Sequence, residues 1–139
     1  MTRQELDLVQ SSWAQVRPIS AQAAELFYRR LFDIEPQMKD LFKGDMRVQG
    51  QRLMDMIDIA VNDLDRWDQL VPALEALGRR HVGYGVKEAD YDAVAAALLW
   101  TLEQGLGPAF TEEVRLAWIN TYTRLADTMK RAAAEVTMA

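Results

Sequence analysis

The chain has 139 residues, half of them hydrophobic, with no cysteine, one histidine and a net charge of -5. That length suits one domain over 1–139, large enough to bury a core without covalent staples. The lack of cysteine excludes disulfides and thiolate metal sites, and an acidic balance without a basic stripe excludes a nucleic-acid surface. The opening MTRQELDLVQ lacks the apolar run of a signal peptide, and no later stretch has the length of a membrane span. A cytoplasmic protein without a membrane partner is therefore expected. Ala, Leu, Met, Gln, Glu and Arg recur while runs of Val, Ile and Thr are scarce, so the predicted class is all-α.

Thr2 and Glu5 stand at capping-box spacing, which predicts a first helix from about Arg3. Its apolar face is Leu6, Val9, Trp13 and Val16, and Pro18 ends it. Ser20 is placed to cap a second helix whose inward side is Ala24, Phe27, Tyr28 and Leu31. Glu35-Pro36 opens a short helical turn that carries Met38 and Leu41 and ends at Phe42. After a break at Lys43-Gly44-Asp45, a long helix is predicted from Met46 to about Asn62, with Leu53, Met56, Ile57 and Ala60 inward. Asp63 to Trp67 reads as a turn. The next helix crosses Pro72 to reach His81 and stops at Gly83 and Gly85 around Tyr84.

Two long helices remain, about 89–106 and 111–136, separated by Gly107-Pro108. Thr111 with Glu112 and Glu113 starts the second of these. Seven or eight unequal helices predict crossed packing around a cavity rather than a four-helix bundle. The tryptophans Trp13, Trp67, Trp100 and Trp118 read as packing residues, as do Met38, Met54, Met56 and Met129. The acidic pairs Asp63/Asp65 and Glu112/Glu113 read as helix caps. No nucleophile, phosphate loop or metal cluster is evident, so no catalytic residue is assigned.

Four stretches stand out together: FYRRLF (27–32), EPQMKDLF (35–42), LGRRHVGYGVK (77–87) and LGPAFTEEVRLAW (106–118). Each alone is a weak signal. In this order and at these separations they resemble the globins along essentially the whole chain. The likeness is to bacterial single-domain haemoglobins related to the flavohaemoglobin globin module, and to neuroglobin. The resemblance implies a globin fold, helices three over three around haem b. His81 then matches the proximal histidine, the iron's protein ligand, with its second ring N–H on the carbonyl of Leu77. Leu77 and Val86 would flank the porphyrin. Phe42 matches the phenylalanine stacked on the haem, although periodicity alone makes it an ordinary core residue.

On the other face, the resemblance aims Tyr28 and Gln49 at a bound gas, with Leu53 limiting its room. Without that frame, Tyr28 is a snorkelling aromatic and Gln49 a solvated helix residue. Each donor would stabilise a ligand carrying negative charge by on the order of 1–3 kcal/mol. Two would slow dioxygen release by roughly a hundredfold or more. Arg52 is the matching partner for a haem propionate, with Arg79 and Arg80 as alternatives, although each also reads as a solvating residue. Tyr91 matches a tyrosine that, in the flavohaemoglobin branch, joins a glutamate of the last helix beside the proximal histidine. Here that glutamate's position falls at Ala133, with Glu135 elsewhere on the helix. Tyr91 therefore either serves the proximal side or is a core tyrosine only.

With one histidine, a bis-histidine iron is excluded. Tyr28, Gln49, Met54 or water remain as sixth ligands. The implied function is reversible binding of dioxygen for binding or transport, with nitric oxide and carbon monoxide as further ligands. Alternatives are nitric oxide dioxygenase activity with a separate reductase in trans, a weak peroxidase side activity, or gas sensing through a partner. Either a monomer or a homodimer is compatible with the surface pattern. A globin that has lost its haem is disfavoured by the retention of His81, Phe42, Tyr28 and Gln49 together.

Overall fold

A computed structural model describes residues 2–138. Six α-helices account for most of it: α1 (Arg3–Val16), α2 (Ser20–Ile34), α3 (Met46–Asn62), α4 (Trp67–Gly83), α5 (Asp90–Leu106) and α6 (Glu112–Met138). A six-residue 3₁₀ helix, Pro36–Leu41, makes the seventh helical element, and three short 3₁₀ turns complete the corners. The layers are α1, α3 and α4 over α2, α5 and α6, with α4 lying along α6 and α2 against both α3 and α5.

The capping expectation holds at two ends. Glu5 N donates to Thr2 Oγ1 at 3.1 Å, and Val114 N to Thr111 Oγ1 at 3.3 Å. It fails at Ser20, whose N–H bonds to Arg17 O as the chain passes from a 3₁₀ turn directly into α2. No extended residue precedes α2, so Ser20 is its first helical residue and makes no side-chain cap. Asp63 likewise caps nothing, since its carboxylate pairs with Arg66 at 2.7 Å, and Asp65 is simply an acid in the following 3₁₀ turn. Asp45, which the sequence offered only as part of a break, is the cap of α3, accepting from Arg47 N at 2.9 Å.

The main core gathers Val9, Trp13, Val16, Phe27, Leu31, Leu102 and Trp118 from four helices. Trp13 and Trp118 meet at 6.1 Å between ring centroids, and each indole N–H finds a partner, as buried tryptophans require. Trp118 Nε1 donates to Ser12 Oγ at 2.8 Å, and Trp13 Nε1 to Asp58 Oδ1 at 2.9 Å. The Trp13 bond, reinforced by Arg17, holds the Asp58 carboxyl below its usual range.

Along α3 the inward face is Gly50, Met54, Ala60 and Val61, with Leu53 and Ile57 beside it. Met56, expected inward, is 37 % exposed, while Met54 is buried. Two residues apart on a helix they differ by about 200° around its axis, so only one can face the core.

Two glycines set how closely layers approach. A Cβ on Gly50 would lie 2.9 Å from Ala24 Cβ, where α3 crosses α2. A Cβ on Gly78 would lie 2.3 Å from Met129 O, so α4 rests on the backbone of α6. Among the described residues, no helix is long and apolar enough to cross a membrane.

Candidate functional site

His81 sits in the last turn of α4, half-buried. Gly85 has φ +88°, a region that favours glycine, and the chain turns back there so that Val86 N donates to His81 O at 3.0 Å. The His81 Nδ1 lies 2.8 Å from Leu77 O, the bond expected from sequence. A carbonyl only accepts, so the proton belongs on Nδ1 and the lone pair on Nε2. Burial lowers the His81 pKa below its ordinary 6.5, the Leu77 bond opposes this, and the Arg80 charge adds to the depression. The ring is a neutral nitrogen donor of fixed tautomer.

An unfolded chain takes up a proton below about pH 6.5 that folded His81 resists. Its contribution to apoprotein stability is thus complete above that pH and is lost as the pH falls below it, through the lower folded value. Urea unfolding from neutral to acid pH is expected to show a steeper acid loss for the wild type than for His81→Gln. Parallel profiles would refute this.

A second wall is aromatic. Tyr28 on α2 meets Phe42 edge-on at 5.1 Å, stacks with Phe32 at 5.9 Å, and touches Phe27 at 5.1 Å. Phe32 also meets Phe42 at 5.7 Å. Burial pushes the Tyr28 hydroxyl up to about 12, so it remains a protonated donor. Gln49 and Leu53, one turn apart on α3, are half-buried, and Leu53 packs on the main core. Leu77 and Val86 are half-buried, while Arg52, Arg79 and Arg80 are exposed. Met54 is buried within the main core.

Beside His81, Tyr91 of α5 stacks nearly parallel at 6.4 Å and 28°, and Tyr84 lies at 5.9 Å. Tyr122 of α6 donates its hydroxyl to Tyr91 O at 2.7 Å. Among the described residues the buried Tyr91 hydroxyl has no hydrogen-bond partner. Ala133 is half-buried, Glu135 is exposed, and Lys130 places its ammonium 5.4 Å over the Tyr91 ring.

The structure thus forms two groups, Tyr28 with Phe42 and His81 with Leu77 and Tyr91. Among the described residues no ring contact joins them. Sequence reasoning missed Phe32, Tyr84, Tyr122 and Lys130. Phe32 was legible, one turn beyond Tyr28 on the same face, and Tyr122 follows Trp118 in the same way. Nothing in the sequence marks Lys130.

Among the described residues no three of His, Cys, Asp and Glu gather as a metal site. A single neutral imidazole beside Tyr84, Tyr91 and Leu77 would suit a metal that a prosthetic group supplies with most of its donors. Two hollows, of about 380 Å³ beside Trp67 and Arg124 and about 240 Å³ between α5 and α6, contain none of the candidate residues except the edge formed by Tyr122.

The globin family profile matches residues 25–129. Neuroglobin of Tetraodon nigroviridis is 28% identical, covering 94% of this chain and 91% of that protein. Neuroglobin-1 of Oncorhynchus mykiss is 29% identical over the same shares. An engineered carbene transferase, derived from a Rhodothermus marinus protein assigned as a nitric oxide dioxygenase, superposes with a TM-score of 0.89. It is 25% identical, with 99% of this chain and 96% of that chain covered. A hexacoordinated haem protein of an anhydrobiotic tardigrade superposes with a TM-score of 0.88 at 21% identity, over 96% of each chain, and shares the fold.

Proposed function

The chain belongs to the globin family, and from that premise we propose that it binds haem b through His81 and reversibly binds a diatomic gas, dioxygen foremost. The observation that carries this reading is the His81 ring itself, with Nδ1 committed to Leu77 O and Nε2 left as the donor. Haem, when bound, would supply an iron able to take up a diatomic gas. The chain's own residues do the rest. Phe42, Leu53, Leu77 and Val86 provide apolar walls that exclude water. Tyr28 donates from a hydroxyl that burial keeps protonated, and Gln49 adds an amide donor from α3. Arg52, exposed on α3, is the candidate partner for a carboxylate of the cofactor, with Arg79 and Arg80, also exposed, as alternatives. The absence of cysteine leaves no thioether attachment, which favours haem b over a covalently attached haem.

Titrating the apoprotein with haem tests the reading. A saturating Soret band and a ferrous spectrum that changes reversibly with dioxygen are expected. Absence of stoichiometric haem uptake would overturn it. Tyr28→Phe keeps the ring and removes the donor, worth about 1–3 kcal/mol against a ligand that carries charge. Dioxygen dissociation, followed by stopped flow, is expected to accelerate about tenfold or more, and an unchanged rate would remove Tyr28 from this role.

The Rhodothermus neighbour supports a second reading, conversion of nitric oxide and dioxygen to nitrate, with one electron per turnover from a reductase in trans. Stoichiometric nitrate from repeated nitric oxide additions, with an external reductant present, would favour it. A single turnover only would leave gas binding as the function.

A further inference from the structure

Lys130 is a half-buried cation on α6, five residues before the exposed Glu135. Its ammonium lies 5.4 Å from the centroid of the Tyr91 ring, within cation–π range. That ring in turn stacks on His81 at 6.4 Å. The Lys130 ammonium is therefore no farther than about 12 Å from the centre of the His81 ring. None of the ion pairs among the described residues includes it. Tyr91 is held for this contact at its backbone, by the Tyr122 hydroxyl on its carbonyl. Among the described residues its own hydroxyl makes no hydrogen bond. On the His81 side, Nδ1 meets only the neutral carbonyl of Leu77. This half of the site thus combines a neutral acceptor at His81 with the Lys130 charge, alongside Arg80, which acts on His81, and Asp92, which acts on Tyr122.

We propose that Lys130, seated on the Tyr91 ring beside His81, is a positioning residue that biases an iron held by His81 toward its ferrous state. The inference rests on the haem-binding reading above. Positive charge disfavours the more highly charged ferric form, and an imidazole hydrogen-bonded to a neutral carbonyl does nothing to offset this. A unit charge at about 12 Å, at an effective dielectric of about 20, would change the ferrous-to-ferric ratio roughly tenfold. Solvent reaching a half-buried lysine reduces this to about threefold. Only the ferrous iron takes up dioxygen, so the charge serves the proposed function. Tyr91 contributes its ring face, and its hydroxyl is not required.

The test is a spectroelectrochemical titration of the haem-loaded protein, with the ferrous iron–histidine stretch read by resonance Raman. Lys130→Met preserves length and removes charge. At the wild-type midpoint potential its ferrous-to-ferric ratio is expected to fall about threefold, and Lys130→Glu is expected to lower it further. Lys130→Arg and Tyr91→Phe are expected to stay near wild type, because charge and ring are retained. Arg131→Met, an exposed charge one residue along, serves as control. In Tyr91→Leu, which removes the platform, adding Lys130→Met is expected to change little. Equal midpoints for wild type, Lys130→Met and Lys130→Glu would overturn the proposal, as would an equal shift in Arg131→Met. Should Lys130→Met perturb packing, a displaced iron–histidine stretch reports it, and the Lys130→Arg against Lys130→Glu comparison decides by sign of charge alone. A chain that takes up no haem would overturn the functional reading itself, and this inference with it. Haem uptake with charge-independent midpoints overturns this inference alone.

Discussion

His81→Gly is expected to weaken haem retention by at least about a hundredfold and to abolish the five-coordinate ferrous spectrum, with added imidazole restoring both. The chain has no other histidine, so no second imidazole can take its place. Removing a partner that merely orients a metal-bound histidine already costs about ten- to a hundredfold in affinity, and losing the ligand costs no less. The glycine leaves space in which free imidazole can stand, between Tyr91, at 6.4 Å from the former ring, and Tyr84, at 5.9 Å. Rescue separates loss of a ligand from loss of the fold, since a misfolded chain would not recover. Transfer of haem to a scavenging apoprotein gives the rate, and the Soret band gives the coordination. A variant that keeps wild-type spectra and retention would show that iron is held elsewhere.

Gly78→Ala is expected to destabilise the protein by about 3 kcal/mol, against the usual sign for glycine to alanine inside a helix. On an open helix face this substitution stabilises by roughly 1 kcal/mol through backbone entropy and propensity. Here the added methyl would lie 2.3 Å from Met129 O, 2.8 Å from Met129 Cα and 2.9 Å from Met129 C. All three are backbone atoms, so no rotamer change relieves the clash and α4 must lift from α6. Overpacking against a rigid neighbour costs about 1–3 kcal/mol or more, which exceeds the propensity gain. Gly78 lies three residues before His81, so the displacement also moves the imidazole. Urea unfolding of the apoprotein measures the stability change, and the iron–histidine stretch of the loaded protein reports the shift. A stabilised variant would mean that α4 and α6 do not meet at this point. Gly83→Ala has nothing within 4 Å of the added carbon and serves as the contrast.

Both predictions turn on α4, and they draw on different kinds of information. The length of α4 and its stop at Gly83 and Gly85 follow from local chemistry, as does the carbonyl of Leu77 one turn before His81. Hydrogen bonds of that reach depend on helix geometry alone, and helix geometry follows from propensity, period and breakers. The boundaries of α3 and the apolar face of α1 were legible for the same reason. Tyr28 and Phe42 were singled out only through a resemblance carried by motifs in order, since neither is distinctive by periodicity, and their edge-on contact at 5.1 Å is a finding of the tertiary structure.

The amino-acid sequence by itself determined the helical elements, the identity of the one imidazole donor, and the absence of any thiolate or second histidine. Tertiary structure decided what crosses between helices. It placed Met54 rather than Met56 in the core, because the crossing of α3 over α2 at Gly50 sets which face is covered. It gave Asp63 to Arg66 and left α4 without a side-chain cap. It also brought Lys130 and Tyr122, some fifty and forty residues from His81 in the chain, onto the Tyr91 ring and its carbonyl. Local propensity carries no record of such partners. They meet because the backbone of α4 lies directly on that of α6 at Gly78, a close approach available only where a side chain is missing.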